Sequence, residues 1–177
     1  SRYNLESAVA VQDALDGSSA ACAAMWLPPN GVIHSVDELV VSSAVAIFGS
    51  NATVIAVGKN RLLMVLPAAQ LTLQGPLKLR DGFASQIGGG CVLVQTGASL
   101  VASDVVFENC TTPFMGGGVL GWRGAFVLLA GRSRLTSCVS GRQGGERFNC
   151  SANEQDLSQA PSSCTRRLRS RSKIKLF

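Results

Sequence analysis

Apolar and polar positions alternate with period two in short runs, as in Leu71-x-Leu73, Leu77-x-Leu79 and Val105-x-Phe107. That period sends every second side chain to one face of an extended strand. The runs are broken by Gly, Pro, Asn or Ser, which end strands in turns. They also recur along the chain. Val45-Ala46-Ile47-Phe48-Gly49-Ser50, Leu71-Thr72-Leu73-Gln74-Gly75-Pro76, Leu100-Val101-Ala102-Ser103-Asp104-Val105 and Leu128-Leu129-Ala130-Gly131-Arg132-Ser133 start 26, 29 and 28 residues apart. The clusters Gly88-Gly89-Gly90 and Gly116-Gly117-Gly118 start 28 apart, and Gly144-Gly145 follows 28 later. A repeat of this size, with strands and turns but no helix in each unit, predicts a stacked coil of parallel strands. Equivalent positions of successive coils then lie ~4.8 Å apart. On a 28-residue offset Cys110 falls beside Cys138, and Phe107 beside Leu135.

The ends depart from this pattern. Asn4 is a suitable N-cap, Leu5, Ala8, Val9 and Leu15 fall near one helical face, and Gly17 can stop the helix. A helix there would cover the open edge and uncovered core of a first coil. Beyond Gly145 the repeat is lost in a polar stretch and then a run of Arg, Lys and Ser. The expected organisation is a helical cap over 1–22, a parallel β-helix over 23–145, and a polar loop with a basic tail, poorly ordered, over 146–177. No terminal cap is read after the last coil, and the chain begins at Ser1 without a leader. It is therefore expected to be a mature form or a fragment.

Charge changes the picture less than its total suggests. The formal charge is +5, but Arg166, Arg167, Arg169, Arg171, Lys173 and Lys175 supply it from the last dozen positions. The rest carries ten basic and eleven acidic residues, so the folded body has no global attraction to nucleic acid. The tail reads either as a site for an anionic polymer or membrane surface, or as a solvated chain end. No apolar run approaches the ~18 residues of a membrane span. Six cysteines without a Cys-x-x-Cys pair, and a single histidine, argue against structural zinc. Three glycosylation sequons begin at Asn51, Asn109 and Asn149, which with the even cysteine count points to a secreted or cell-surface protein. Cys110 and Cys138 are close enough for a disulfide, but a ladder of inward thiols is the preferred reading, since free cysteine packs as a small hydrophobe.

Two stretches resemble known families. The opening helix, Met25-Trp26-Leu27-Pro28-Pro29-Asn30-Gly31-Val32, and Val45-Ala46-Ile47-Phe48-Gly49-Ser50-Asn51-Ala52-Thr53-Val54-Ile55 look like the start of pectin-lyase-like right-handed parallel β-helix proteins. Gly89-Gly90-Cys91-Val92, Gly117-Gly118-Val119-Leu120 and Phe107-Glu108-Asn109-Cys110 are similar to the repeats of polymorphic outer-membrane-type surface proteins. The chain departs from those repeats at Cys110, where they carry Asn, and at Leu135, where they carry Phe. The resemblance implies an all-β, right-handed parallel β-helix of roughly five coils with an N-terminal capping α-helix.

The first family includes polysaccharide lyases and hydrolases, so catalysis must be sought residue by residue. A lyase would need clustered carboxylates for calcium and a base; a hydrolase would need convergent acids. No Asp-Asp pair occurs, and carboxylates are sparse in the coils. The best local cluster is Asp104 and Glu108 with Arg132 and Arg134 one coil on, read first as a surface ion pair and second as a groove for sugar. His34 lacks a nucleophile or ligand neighbour, the glycine clusters lack the Lys-Ser/Thr of a phosphate loop, and Trp26 and Trp122 read as core. No catalytic residue, metal or cofactor is expected. The expected function is a non-catalytic module, secreted or on the cell surface, presenting a face to carbohydrate or another macromolecule. The alternative is a fragment of a lyase or hydrolase acting on acidic polysaccharide.

Overall fold

A computed structural model describes residues 2–4 and 23–141, and every element among them is a β-strand. β1 (Arg2–Asn4) precedes β2 (Ala23–Trp26), β3 (Val32–Ser35), β4 (Leu39–Val41), β5 (Ala44–Phe48), β6 (Ala52–Ala56), β7 (Leu63–Val65) and β8 (Gln70–Arg80). Then follow β9 (Val92–Val94), β10 (Ser99–Glu108), β11 (Thr111–Thr112), β12 (Val119–Gly121), β13 (Phe126–Ala130), β14 (Arg134–Thr136) and β15 (Val139–Ser140). Every pairing is parallel, and each strand pairs with its counterpart one turn away. The chain is a β-solenoid of about four turns, with β13 to β15 starting a further one where the described residues end. The helix expected over Leu5 to Leu15 lies outside the described residues. Asn4, its expected cap, sits in β1 opposite Trp26 of β2.

Three sheets run along the coil. β1, β2, β5, the first half of β8, the first half of β10 and β13 form the first; β3, β6, the second halves of β8 and β10, and β14 form the second, and β11 pairs with β15 apart from them. β4, β7, β9 and β12 form the third. β8 and β10 run through the corner between the first two sheets, turning at Gly75 (φ 100°) and at Asp104 (φ 59°). The pairing of β8 with β10 shifts between Ser103 and Val105, so the corner is a β-bulge. Asn30 and Asn51 turn the same corner in earlier coils, and the Asn51 amide donates to the Asn30 side-chain oxygen at 2.9 Å. Short polar side chains tolerate this left-handed conformation because they can bond locally. Asp81, Asn109 and Ser137 form a second such column after the second sheet.

Alternation places the apolar set inside, as expected. Met25, Ile47, Leu73 and Ala102 stack in the first sheet, and Ile33, Val54, Leu79, Phe107 and Leu135 in the second; all are buried. The third sheet adds Val41, Val65 and Val94. One apolar space of about 20 Å³, among Leu27, Ile33, Leu39 and Ile47, has room for about one water and no polar partner for it.

Two expectations are corrected. The repeat starting at Leu128 is one residue out of phase: Leu100 pairs with Val127, and Leu128 pairs with Val101. The spacing is 27 in the first sheet and returns to 28 at Phe107 and Leu135, because the Gly131 corner takes one extra residue. Val127 and Leu129, not Leu128, therefore pack against the core. Trp26 and Trp122 are not core residues. Met25 and Leu27 take the inward positions, leaving Trp26 37% and Trp122 46% exposed.

Candidate functional site

The outer side of the second sheet carries the charges. Lys78 lies between Thr53 and Val106, and Val106 pairs with Arg134; Arg80 lies between Ile55 and Glu108. Glu108 meets Lys78 at 3.4 Å and Arg80 at 3.9 Å, while Arg80 also meets Asp81 at 2.9 Å. The Asn109 amide donates to Asp81 at 2.6 Å. These groups form one half-exposed network across two coils, in which acids and bases neutralise each other. Each exposed pair of this kind contributes only ~0–1 kcal/mol.

The four residues expected to cluster are divided. Asp104 sits in the bulge, where its carboxylate accepts from the Arg132 backbone N–H at 2.9 Å. The Arg132 guanidinium reaches it only at 4.0 Å from a side chain that is 89% exposed. Glu108 turns instead to Lys78 and Arg80, and Arg134 is exposed with no ion pair among the described residues. Asp104 thus acts as a turn-forming side chain, and Glu108 belongs to a different set. Sequence reasoning missed Lys78, Arg80 and Asp81, although a 28-residue offset from Arg80 and Asp81 lands on Glu108 and Asn109. It also missed Arg61, whose guanidinium pairs with Glu38 and donates to the Gly89 carbonyl at 2.9 Å. That pair fixes the corner before the third sheet, since the Arg61 side chain is only 10% exposed.

The remaining residues fall as follows. His34 is on the exposed side of β3. Asn51 and Asn109 are both exposed at corners, and Asn149 lies outside the described residues. Cys110 and Cys138 occupy neighbouring coils, but the expected thiol ladder is corrected: Cys110 forms a disulfide with Cys91, with Cα atoms 5.4 Å apart, and among the described cysteines Cys138 alone is a buried thiol. Burial pushes the Cys138 thiol above its usual 9.0. Among the described residues, no group of three or more His, Cys, Asp or Glu is placed to hold a metal ion. Nor is any helix among them long and apolar enough to cross a membrane.

The outer side of the first sheet has the opposite character. One row runs Ala24, Ala46, Thr72, Val101 and Leu128; the next runs Trp26, Phe48, Gln74, Ser103 and Ala130. A third holds Ala44, Gln70, Ser99 and Phe126. No residue that β2, β5, β8, β10 and β13 place in these rows is charged, although β1 extends the first row from Ala24 to Arg2. Trp26 stacks on Phe48 with ring centroids 5.0 Å apart and planes 14° from parallel, and Phe126 is 47% exposed at the opposite end. Apolar rings at the ends and amides or hydroxyls between them suit a partner with both apolar faces and hydroxyl groups. Compared with known proteins, the chain matches no family model, no curated sequence and no solved structure.

Proposed function

We propose that this chain is a non-catalytic β-helix module, secreted or on the cell surface, that presents the outer face of its first sheet to an uncharged polysaccharide. In this reading the coil is right-handed and of pectin-lyase-like type, and Asn51 and Asn109 carry glycans on corners, Asn51 at the border of that face and Asn109 beyond the second sheet. The observation that carries the proposal is the absence of charge from the fourteen outward positions that β2, β5, β8, β10 and β13 supply, with Trp26, Phe48 and Phe126 among them, Arg2 of β1 lying at the border of the row that begins at Ala24. A sugar ring offers C–H groups to aromatic rings and hydroxyls to the Gln70, Gln74, Thr72 and Ser99 side chains. Charged polymer would find no counter-ion on the five strands from β2 to β13 of this face. Lys78, Arg80, Asp81 and Glu108 are engaged with one another, which leaves Arg134 without an acid beside it among the described residues.

The test is co-sedimentation with insoluble neutral polysaccharides, run beside soluble acidic ones with calcium, with products analysed by mass spectrometry. Retention on neutral polymer without product is the expected result. Shortened or unsaturated oligosaccharide from acidic polymer would replace this reading with a lyase or hydrolase. Asp104, Glu108, Arg132 and Arg134 would then be the first residues to substitute.

A further inference from the structure

We propose that Cys91, Cys110 and Cys138 form a disulfide-exchange site inside the coil, in which Cys138 takes over Cys110 from Cys91. Two sets of distances place the sulfurs. Cys110 Sγ lies 3.3 Å from the Glu108 carbonyl oxygen and 4.0 Å from that of Leu79. Cys138 Sγ lies 3.5 Å from the Thr136 carbonyl oxygen and 3.4 Å from that of Phe107. Thr136 and Phe107 are the one-coil counterparts of Glu108 and Leu79. The two sulfurs therefore hold the same place in successive coils, about one strand spacing (~4.8 Å) apart. Cys91 Sγ approaches the Leu79 carbonyl at 3.6 Å from the other side of the narrow interior. The Val139 N–H, donating to the Cys110 carbonyl at 2.9 Å, holds the two coils in this register. Gly118, the one-coil counterpart of Cys91, leaves room beside Cys138, since a Cβ there would collide with Leu135 Cδ2 and meet Cys138 Sγ at 3.1 Å.

The step balances without an oxidant. Cys138 gives its proton to solvent base and attacks Cys110 Sγ as a thiolate; the Cys110–Cys91 bond breaks, and Cys91 leaves as a thiolate that takes up a proton. One disulfide and one thiol stand on each side. The cross-link moves from a separation of 19 residues to one of 28, and from the coil entering β9 to the coil of β14 and β15. Because burial raises the Cys138 thiol, exchange is slow at neutral pH and accelerates as pH rises.

Peptide mapping of the full chain tests this. The protein is held without oxygen at about pH 7 and about pH 9, acid-quenched, alkylated and digested without reduction. The Cys110–Cys138 peptide is expected to form about tenfold faster per pH unit below the thiol's pKa, and to be absent from Cys138→Ser. In a glutathione redox buffer, Cys91→Ser is expected to hold Cys110–Cys138 as its main bond. The proposal is overturned if Cys138 stays fully alkylatable at both pH values with Cys91–Cys110 intact. It is also overturned if Cys110 in Cys91→Ser stays free, or pairs with Cys22, Cys150 or Cys164. Should that variant fail to fold, the pH series on the unaltered chain decides alone.

Discussion

Phe107 is the largest fully buried side chain among the described residues, stacked between Leu79 and Leu135 with no polar atom of its own to satisfy. Truncation leaves a cavity that rigid neighbouring strands cannot fill. Phe107→Ala should therefore cost about 3–5 kcal/mol. Chemical denaturation would read it, and a loss below about 1 kcal/mol would place the ring outside a packed core. The Cys138 thiol makes a second prediction at this scale. Its folded pKa is raised, so the folded state holds the proton more tightly than the unfolded chain does. The associated stability is present below the usual thiol value of 9.0 and is lost as pH rises through the folded pKa. Melting curves on either side of that value should show a decline that Cys138→Ala lessens; an unchanged decline would assign it to other groups. Which residues point inward was legible in part. Leu71, Leu73, Leu77 and Leu79 declare their side by strict alternation, whereas Trp26 sits in an unbroken apolar run that leaves its side open. The Cys91–Cys110 bond was illegible for another reason. Its separation of 19 is not a coil period, because it crosses the interior rather than running along a stack.

At the scale of elements, the corners set the phase of each strand. Gly75 has φ 100°, and a Cβ there would collide with the Gly49 carbonyl of the preceding coil, whereas Gly97 has φ 74° with nothing nearby. Gly97→Ala should cost only the left-handed strain, about 1–2 kcal/mol. Gly75→Ala should cost more, because the backbone of β8 must also move. Equal melting temperatures for the two variants would contradict this account of the corner. The bulge at Asp104 is closed by the next coil. Buried Ser133 donates to the Ala102 carbonyl at 3.1 Å, and its Oγ accepts from the Val105 N–H at 3.1 Å. Ser133 thus continues the inward column of Leu77 and Val105 as a polar plug. This explains why the repeat reads cleanly up to β10 and slips at β13. A serine within an apolar column and one added corner residue change the spacing without disturbing the local pattern. The charge network was more legible than the reading made of it, since Arg80 and Asp81 lie one coil before Glu108 and Asn109.

For the whole molecule, stacking equivalent positions turns the choice of one residue into a face. Repeated neutral choices across five strands produce an uncharged surface, while the adjoining sheet collects Lys78, Arg80, Glu108 and Arg134. A module built this way distinguishes partners by which sheet they meet. The periodicity made the coil legible, but the same periodicity fits every occupant of its faces. The candidate site therefore had to be found from the outward register. The most direct measurement is a pair of binding isotherms on neutral polysaccharide, for Thr72→Lys in the central row of the first sheet and for Lys59→Glu on an exposed corner elsewhere. The account predicts that Thr72→Lys weakens binding about tenfold or more, ~1.4 kcal/mol, while Lys59→Glu binds as the unaltered chain does. Equal binding by both variants would show that the first sheet is not the binding face.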